Sequence, residues 1–259
     1  MHSLGDMVWV ELRKALRSRM PLCTCLGSLF MPLGIAFLIF VSRNPAISQQ
    51  LGLVSAKANL VAYSATDWPA YLGFSGMVIA AGGYFFYVIT ISWIFGREFT
   101  DGTLKDMLAV PVPRFSILLA KFIVFAIWAA VLSLVSVTLS LVMGAVIHLP
   151  GASAGVFVQG SALLLVTACL VILVVLPFAF FASVGRGYLL PLGVAVLLIL
   201  MANVVALAGW GEYFPWAVPG LFAQGKSALP PASFGIVLLT GLAGMLATWL
   251  WWKYADQNR

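Results

Sequence analysis

Two stretches of this chain carry residue types at a spacing that chemistry could use. The first, Gly220-Leu-Phe-Ala-Gln-Gly225-Lys226-Ser227, fits the phosphate-cradling expression G-x-x-x-x-G-K-[ST]. Such a loop follows a buried strand and opens a helix, in a domain that also supplies an acidic magnesium ligand. Here a Pro-rich stretch precedes it, Pro230-Pro231 comes directly after, and Asp256 is the sole later acid. The match is read as carrying no nucleotide site. The second stretch, 96–121, gathers Arg97, Glu98, Asp101, Lys105, Asp106, Arg114 and Lys121, seven of the 22 acidic and basic residues in 259. Nowhere does the sequence pair a nucleophile with a base or place two carboxylates for acid–base work. His2 and His148 lack ligand spacing, and Cys23, Cys25 and Cys169 give no disulfide framework. Such an inventory does not suit an enzyme. A charged patch in one internal loop suits gripping a partner.

The elements that must position this patch are set by composition. Hydrophobic residues make up 63% of the chain and charged residues 8%, against about 45–50% and about 25% in soluble domains. No soluble core of this size could bury so much apolar surface, so most of the chain is solvated by lipid. The net charge of +6 does not signal nucleic acid, because most basic residues flank apolar segments as membrane anchors do.

A spanning helix needs about 20 apolar residues, and six segments qualify: Pro21–Val41, Tyr71–Phe95, Phe122–Ile147, Val156–Val184, Leu189–Trp210 and Ser233–Trp252. The first stretch, Met20–Ser42, is too long for the roughly 7–15-residue apolar region of a signal peptide and is read as a retained span. Six crossings put both termini on one side. With the N-terminus inside, eleven Lys and Arg residues fall inside and three, Arg43, Lys57 and Lys226, outside. The positive-inside rule then places the termini and the 96–121 loop in the cytoplasm. The spans carry essentially no Asp, Glu, Lys or Arg, whereas ion-driven carriers bind their coupling ion with ionisable groups at depth. Energy for any transport is expected from outside the chain.

Three regions do not span. Residues 1–19 place Leu4, Val8, Leu12 and Leu16 on one stripe among charged residues, which suits an amphipathic helix on the inner membrane face or a basic tail that sets topology. Residues 43–70 form an outer loop without a charge cluster. Residues 211–231 form an apolar, Pro-rich outer stretch that either re-enters the membrane as short broken helices buried against protein or lies at the interface on its Trp anchors. Within the charged patch, Asp101 or Thr103 is placed to cap a short helix over Asp101–Ala109. Leu104, Met107 and Leu108 share its apolar face, Lys105 and Asp106 point elsewhere, and Pro111 and Pro113 stop it before Arg114. By residue type this helix fits a partner's grip and a resting place on headgroups equally well.

The run Arg97-Glu98-Phe-Thr-Asp-Gly102-Thr103-Leu104-Lys-Asp-Met-Leu108-Ala-Val-Pro111-Val-Pro-Arg114, followed by Leu118-Leu119-Ala-Lys121, resembles the signature of ABC-2 type permeases, the membrane subunits of type V ATP-binding-cassette exporters. Their loop between helices two and three typically reads Glu, then Gly-Thr-Leu, then Leu-Leu, then Pro-x-x-Arg and a Lys. Met107-Leu108 stands here for the Leu pair, and Pro113 where Ser is common. The resemblance extends over the whole chain. It implies an all-α membrane fold with an N-terminal interfacial helix (1–19), a six-span permease domain (20–259), a cytoplasmic coupling helix between spans two and three, and a re-entrant segment between spans five and six.

It also implies a role. The chain would be a non-catalytic permease subunit of an exporter, in the plasma (inner) membrane, paired with a second permease subunit as a homodimer. Two copies of a separate ABC ATPase subunit would bind ATP and magnesium; this chain itself would hold no cofactor and no metal. Glu98, Asp101, Gly102, Thr103, Leu104, Lys105, Asp106, Met107, Leu108, Pro111 and Arg114 would form the seat for that ATPase. Glu98 would anchor the seat through a salt bridge to Arg114 or to the N-terminal helix, and Gly102 would permit close approach or a tight helix start. The aromatic residues Tyr84, Phe85, Phe86, Trp93, Phe178, Phe180 and Phe181 suit either the walls of a path for an amphipathic cargo (peptide antibiotic, drug or lipid) or plain packing. The alternative is a non-transporting membrane anchor that recruits a cytoplasmic partner through the same loop.

Overall fold

The computed structural model describes residues 4–43, 67–103, 112–225 and 229–254. Every regular element among them is helical. An N-terminal helix α1 (Leu4–Leu16) precedes the first span α2 (Met20–Arg43). The second span is α3 (Trp68–Val78) and α4 (Tyr84–Thr100), joined by a π-helical turn at Ile79–Gly83. The third is α5 (Arg114–Val146), and the fourth is α6 (Ala154–Val175) with α7 (Phe178–Val184). The fifth is α8 (Leu189–Leu207). A 3₁₀ turn at Gly211–Tyr213 and the short helix α9 (Val218–Gln224) lead to the sixth span, α10 (Pro231–Tyr254). All six expected spans are present as helices long and apolar enough to cross a membrane.

Local signals account for the helix starts. The Asp67 carboxylate accepts from the Ala70 N–H at 2.9 Å, with Pro69 in the first turn where no N–H is needed. Ser153 likewise accepts from the Val156 N–H at 3.2 Å. The largest boundary shift is in the third span. Its apolar window opens at Phe122, yet the helix starts at Arg114, directly after Pro113. Lys121 thus lies two turns inside the helix instead of at its margin.

In lipid the interior of a bundle is held by close packing and by interhelical hydrogen bonds. Thr24 accepts from the Trp128 indole at 3.1 Å, Tyr87 and Ser133 share a hydrogen bond of 2.7 Å, and Tyr84 donates to the Ala195 carbonyl at 3.3 Å. These tie span one to three, two to three and two to five. Span one also interdigitates with span two, with Phe86 over Gly27 and Met31 over Gly82, where an added Cβ would overlap the neighbouring side chain. Tyr84 and Phe178 are buried and meet edge to face at 5.8 Å, and Phe180 meets Trp251 the same way at 6.2 Å. For Tyr84 and Phe178, packing is therefore the role the fold assigns.

The fourth span breaks at Pro177, whose missing N–H and ring interrupt the helical ladder. At the break the Leu173 carbonyl accepts from the Leu176 N–H at 3.3 Å and the Val174 carbonyl from the Trp216 indole at 3.1 Å, so the stretch before α9 is fastened there. Gly241 and Gly244 of α10 bring the sixth span against the same point. A Cβ on Gly241 would sit 2.9 Å from the Leu173 carbonyl oxygen, and one on Gly244 would sit 2.6 Å from the Pro177 nitrogen. Both are backbone atoms that cannot swing aside. Near the other end of α10, the Trp252 indole donates to Ser183 at 2.9 Å.

Gly244→Val is therefore expected to separate spans four and six and lower stability by about 3 kcal/mol, the upper end of overpacking costs. Gly235→Ala in the same helix meets nothing within 4 Å and serves as the neutral control. Thermal melting of the two detergent-purified variants checks this; equal melting temperatures would remove the glycine contact as a determinant.

Candidate functional site

The charged patch expected as one loop is divided by the fold. Glu98 stands in the last turn of α4, and Lys121 stands two turns inside α5. The two helices flank the 96–121 loop and run antiparallel, so the residues face each other beneath it. The Lys121 ammonium has no solvent exposure. Its three donors meet Glu98 Oε1 at 2.7 Å, the Ile94 carbonyl at 2.9 Å and Glu11 Oε2 at 3.3 Å. Glu11 comes from α1, is itself buried, and binds Lys14 at 2.8 Å through its other oxygen. Lys14 also lies 3.6 Å from Glu98 Oε1. Two carboxylates and two ammoniums thus close a neutral cluster. It joins α1 to both arms of the loop.

The cluster sets how α1 lies. The stripe Leu4, Val8, Leu12 and Leu16 is not its buried face. Leu4 and Leu16 are exposed, while Val8 and Leu12 pack against the core beside the buried Glu11 and Ala15. The inward face is centred one residue away from the apolar stripe, because a charged residue has its partner inside. Simple hydropathy assigns Glu11 to water. Only the depth of Lys121 in a continuous helix could have signalled the need for a second carboxylate.

Outside the cluster, Arg97 donates to Asp101 at 3.1 Å and to the Lys14 carbonyl at 3.5 Å, and its guanidinium lies 5.0 Å from the Trp93 ring centroid. Asp101 is the C-cap of α4, its N–H on the Arg97 carbonyl at 2.8 Å, and Gly102 follows at φ +70°. This left-handed glycine ends a helix. Asp101 therefore closes the second span with its carboxylate on Arg97. Gly102 serves as a stop for α4. Thr103 is in the turn that follows. Leu104, Lys105, Asp106, Met107, Leu108 and Pro111, with the rest of the expected Asp101–Ala109 helix, lie outside the described residues. Arg114 is exposed at the start of α5 and donates to the Trp252 carbonyl at 2.8 Å. The expected anchor from Glu98 to the N-terminal helix is present through Lys14, with Lys121 the shorter contact. Arg114 is committed to the sixth span instead.

The phosphate-loop look-alike also receives a geometry. Gly220–Gln224 belong to α9, and Gly225 at φ +61° ends that helix. A loop cradling phosphate would precede a helix with its N–H groups free; here those groups are spent inside one.

Titration follows from the cluster. Burial by itself would raise the Glu11 carboxyl, but Lys121 and Lys14 outweigh it and hold it below its ordinary 4.5. Burial by itself would lower Lys14, but Glu11 and then Glu98 outweigh it and raise it above its ordinary 10.5. Stability from Glu11 is complete above 4.5 and is lost as pH falls through its lowered folded value. Stability from Lys14 is complete below 10.5 and is lost as pH rises through its raised folded value. Protease protection of α1 should therefore decline at both extremes. Glu11→Gln should flatten only the acid limb and Lys14→Met only the alkaline one.

Removing Lys121 leaves two buried carboxylates with only Lys14. Lys121→Met is expected to cost about 3–5 kcal/mol, read as lost thermal stability in detergent. Adding Glu98→Gln to it should cost less than the sum of the single changes, because one uncompensated charge is then removed. Strict additivity would show that the two groups do not interact.

A family profile described as ABC-2 family transporter protein matches residues 7–203. The chain is also similar to the bacitracin transport permease protein BCRB of Bacillus licheniformis, at 28% identity over 173 residues, which is 66% of this chain and 83% of that protein. The profile covers most of the six-span body together with α1, the Glu98–Lys121 pair and both arms of the loop. This chain belongs to the ABC-2 transporter family, as a non-catalytic membrane subunit of an ABC transporter whose ATPase resides in a separate subunit.

Proposed function

We propose that this chain is the permease of an exporter, moving an amphipathic or hydrophobic cargo of the peptide-antibiotic class outward. The face carrying α1 would be cytoplasmic, in the plasma membrane. The charge bias supports that orientation: Arg97, Arg114, Arg186 and Lys253 lie on helix ends or turns of this face, beside α1's own basic residues. The cargo class is carried from the relative whose name states bacitracin transport. A homodimer of this chain would stand on two ATPase copies, which bind ATP and magnesium, and the 211–231 segment would be re-entrant.

The observation that carries this reading is the four-charge cluster. Any ATPase seated on residues 98–114 would hold a loop whose two arms are cross-linked by Lys121 and Glu98 and fastened to α1 by Glu11. Force on the loop then reaches spans two and three and the interfacial helix together. Asp101, Gly102 and Thr103 form the described edge of that seat. A bare anchor would need a grip but no such linkage between it and the spans.

Co-expression with a cognate ATPase, purification in mild detergent and reconstitution test the proposal. The ATPase should co-purify, and cyclic peptide antibiotics should stimulate its turnover. Glu98→Ala and Gly102→Pro should each reduce the stimulated turnover about tenfold, within the range of ordinary coupling energies. A permease that isolates alone, or an ATPase that co-purifies but ignores both substitutions, would overturn it in favour of the anchor.

A further inference from the structure

The start of α5 and the end of α10 form an open groove on the α1 face of the bundle. Two cavities of about 400 and 350 Å³ share Phe115, Leu118 and Trp249 as walls. The first is bounded by Arg114 and Lys253. The second runs deeper between Phe122 and Met245 and is almost wholly apolar. From Arg114 to Phe122, and from Lys253 back to Met245, each helix advances about 12 Å. That is most of one leaflet of a hydrocarbon core about 30 Å thick. Phe115 and Leu246 are more than half exposed along it, so the groove opens sideways to lipid.

Both cations at its mouth are held in place. Arg114 spends one donor on the Trp252 carbonyl, and Lys253 lies 4.9 Å from the ring centroids of both Trp249 and Tyr254. Neither is in an ion pair among the described residues. Three carboxylates of the same face are taken elsewhere: Glu11 and Glu98 by Lys14 and Lys121, and Asp101 by Arg97. A guanidinium with donors to spare beside an ammonium recognises a phosphate. An apolar slot of leaflet depth beneath them recognises an acyl chain.

We propose that this groove binds one anionic phospholipid of the leaflet on the α1 face, its phosphate between Arg114 and Lys253 and one chain along Phe115, Leu119, Phe122 and Leu246. The lipid bridges the first residue of α5 to the end of the last span, and so steadies α5 two turns before Lys121, where the ionic cluster holds the same helix. The site stands on the groove and its charges alone and does not depend on the transport reading.

Tryptophan quenching by brominated lipids tests it. The full chain is reconstituted in vesicles of mixed composition containing brominated phosphatidylglycerol or brominated phosphatidylcholine, and the Trp249 signal is taken as the difference from Trp249→Phe. Brominated phosphatidylglycerol should quench that signal with at least about fivefold preference, the effect of one cation near a charged headgroup. Arg114→Gln with Lys253→Gln should bring the two lipids level. Because Arg114 also holds a backbone carbonyl, Lys253→Gln alone is the second variant; it should lower the preference by itself with the melting temperature unchanged. Equal quenching by both lipids in the unmodified protein, or a preference that survives both substitutions, overturns the proposal. So does absence of Trp249-dependent quenching by either lipid, which would mean that protein covers the groove.

Discussion

An ammonium buried in a bundle that lies in lipid must have anionic partners within reach, because leaving it unpaired costs several kcal/mol. Lys121 imposes that constraint here. It is fully buried two turns inside the third span, and its donors are satisfied from three other places: the carboxylate of Glu98, the carbonyl of Ile94 and the carboxylate of Glu11. Satisfying it fixes the distance between the two arms of the charged loop. It also requires α1 to lie in one rotation about its axis, Glu11 inward, with Lys14 completing the neutral set. The exposed Leu4 and Leu16 then face outward, where a membrane surface can cover them.

The same physics, applied to the backbone, organises the far side of the bundle. Pro177 breaks the helical ladder of the fourth span, and in hydrocarbon a carbonyl at the break needs a donor. The Trp216 indole supplies one to Val174, which places the segment preceding α9. The two glycines of the sixth span then allow α10 to pass close against the break. A polar requirement created by one residue thus positions an element about forty residues away, as Lys121 does for α1.

Segments whose signal is local were legible in the sequence. The six spans need only apolar length. The 96–121 patch was visible as a concentration of charge. What the sequence concealed was pairing. Lys121 looked like a flanking anchor because an apolar window ends at any charge, although a helix need not. Glu11 looked like part of a solvated face because its partner is 110 residues away. The aromatic residues offered both a path wall and packing, and their spacing could not separate the two; the buried edge-to-face contact of Tyr84 with Phe178 shows packing for that pair. Asp101 and Gly102 were read only forwards, toward the loop helix, and their part in ending the second span was missed, although an αL glycine after a capping turn signals a helix end.

The cluster constrains any movement of the bundle. Separating Lys121 from both carboxylates would leave bare charges at low dielectric, at a cost of several kcal/mol per ion. That is comparable to the whole range of ordinary allosteric coupling, about 1–3 kcal/mol. A cycle driven through the loop is therefore cheaper if α1, the end of the second span and the start of the third travel as one body. Bending must then occur where regular helical bonding is already interrupted. Two such places stand deeper in the bundle: the π-helical turn at Ile79–Gly83 in the second span and the Pro177 break in the fourth. Isolated π-turns concentrate at functional positions, and this one ends in two glycines, Gly82 packed under Met31 of the first span. The rigid joint and the two broken ladders divide the labour. Under the proposed function, one would hold the loop to the spans, and the others would let the spans change shape without pulling it apart.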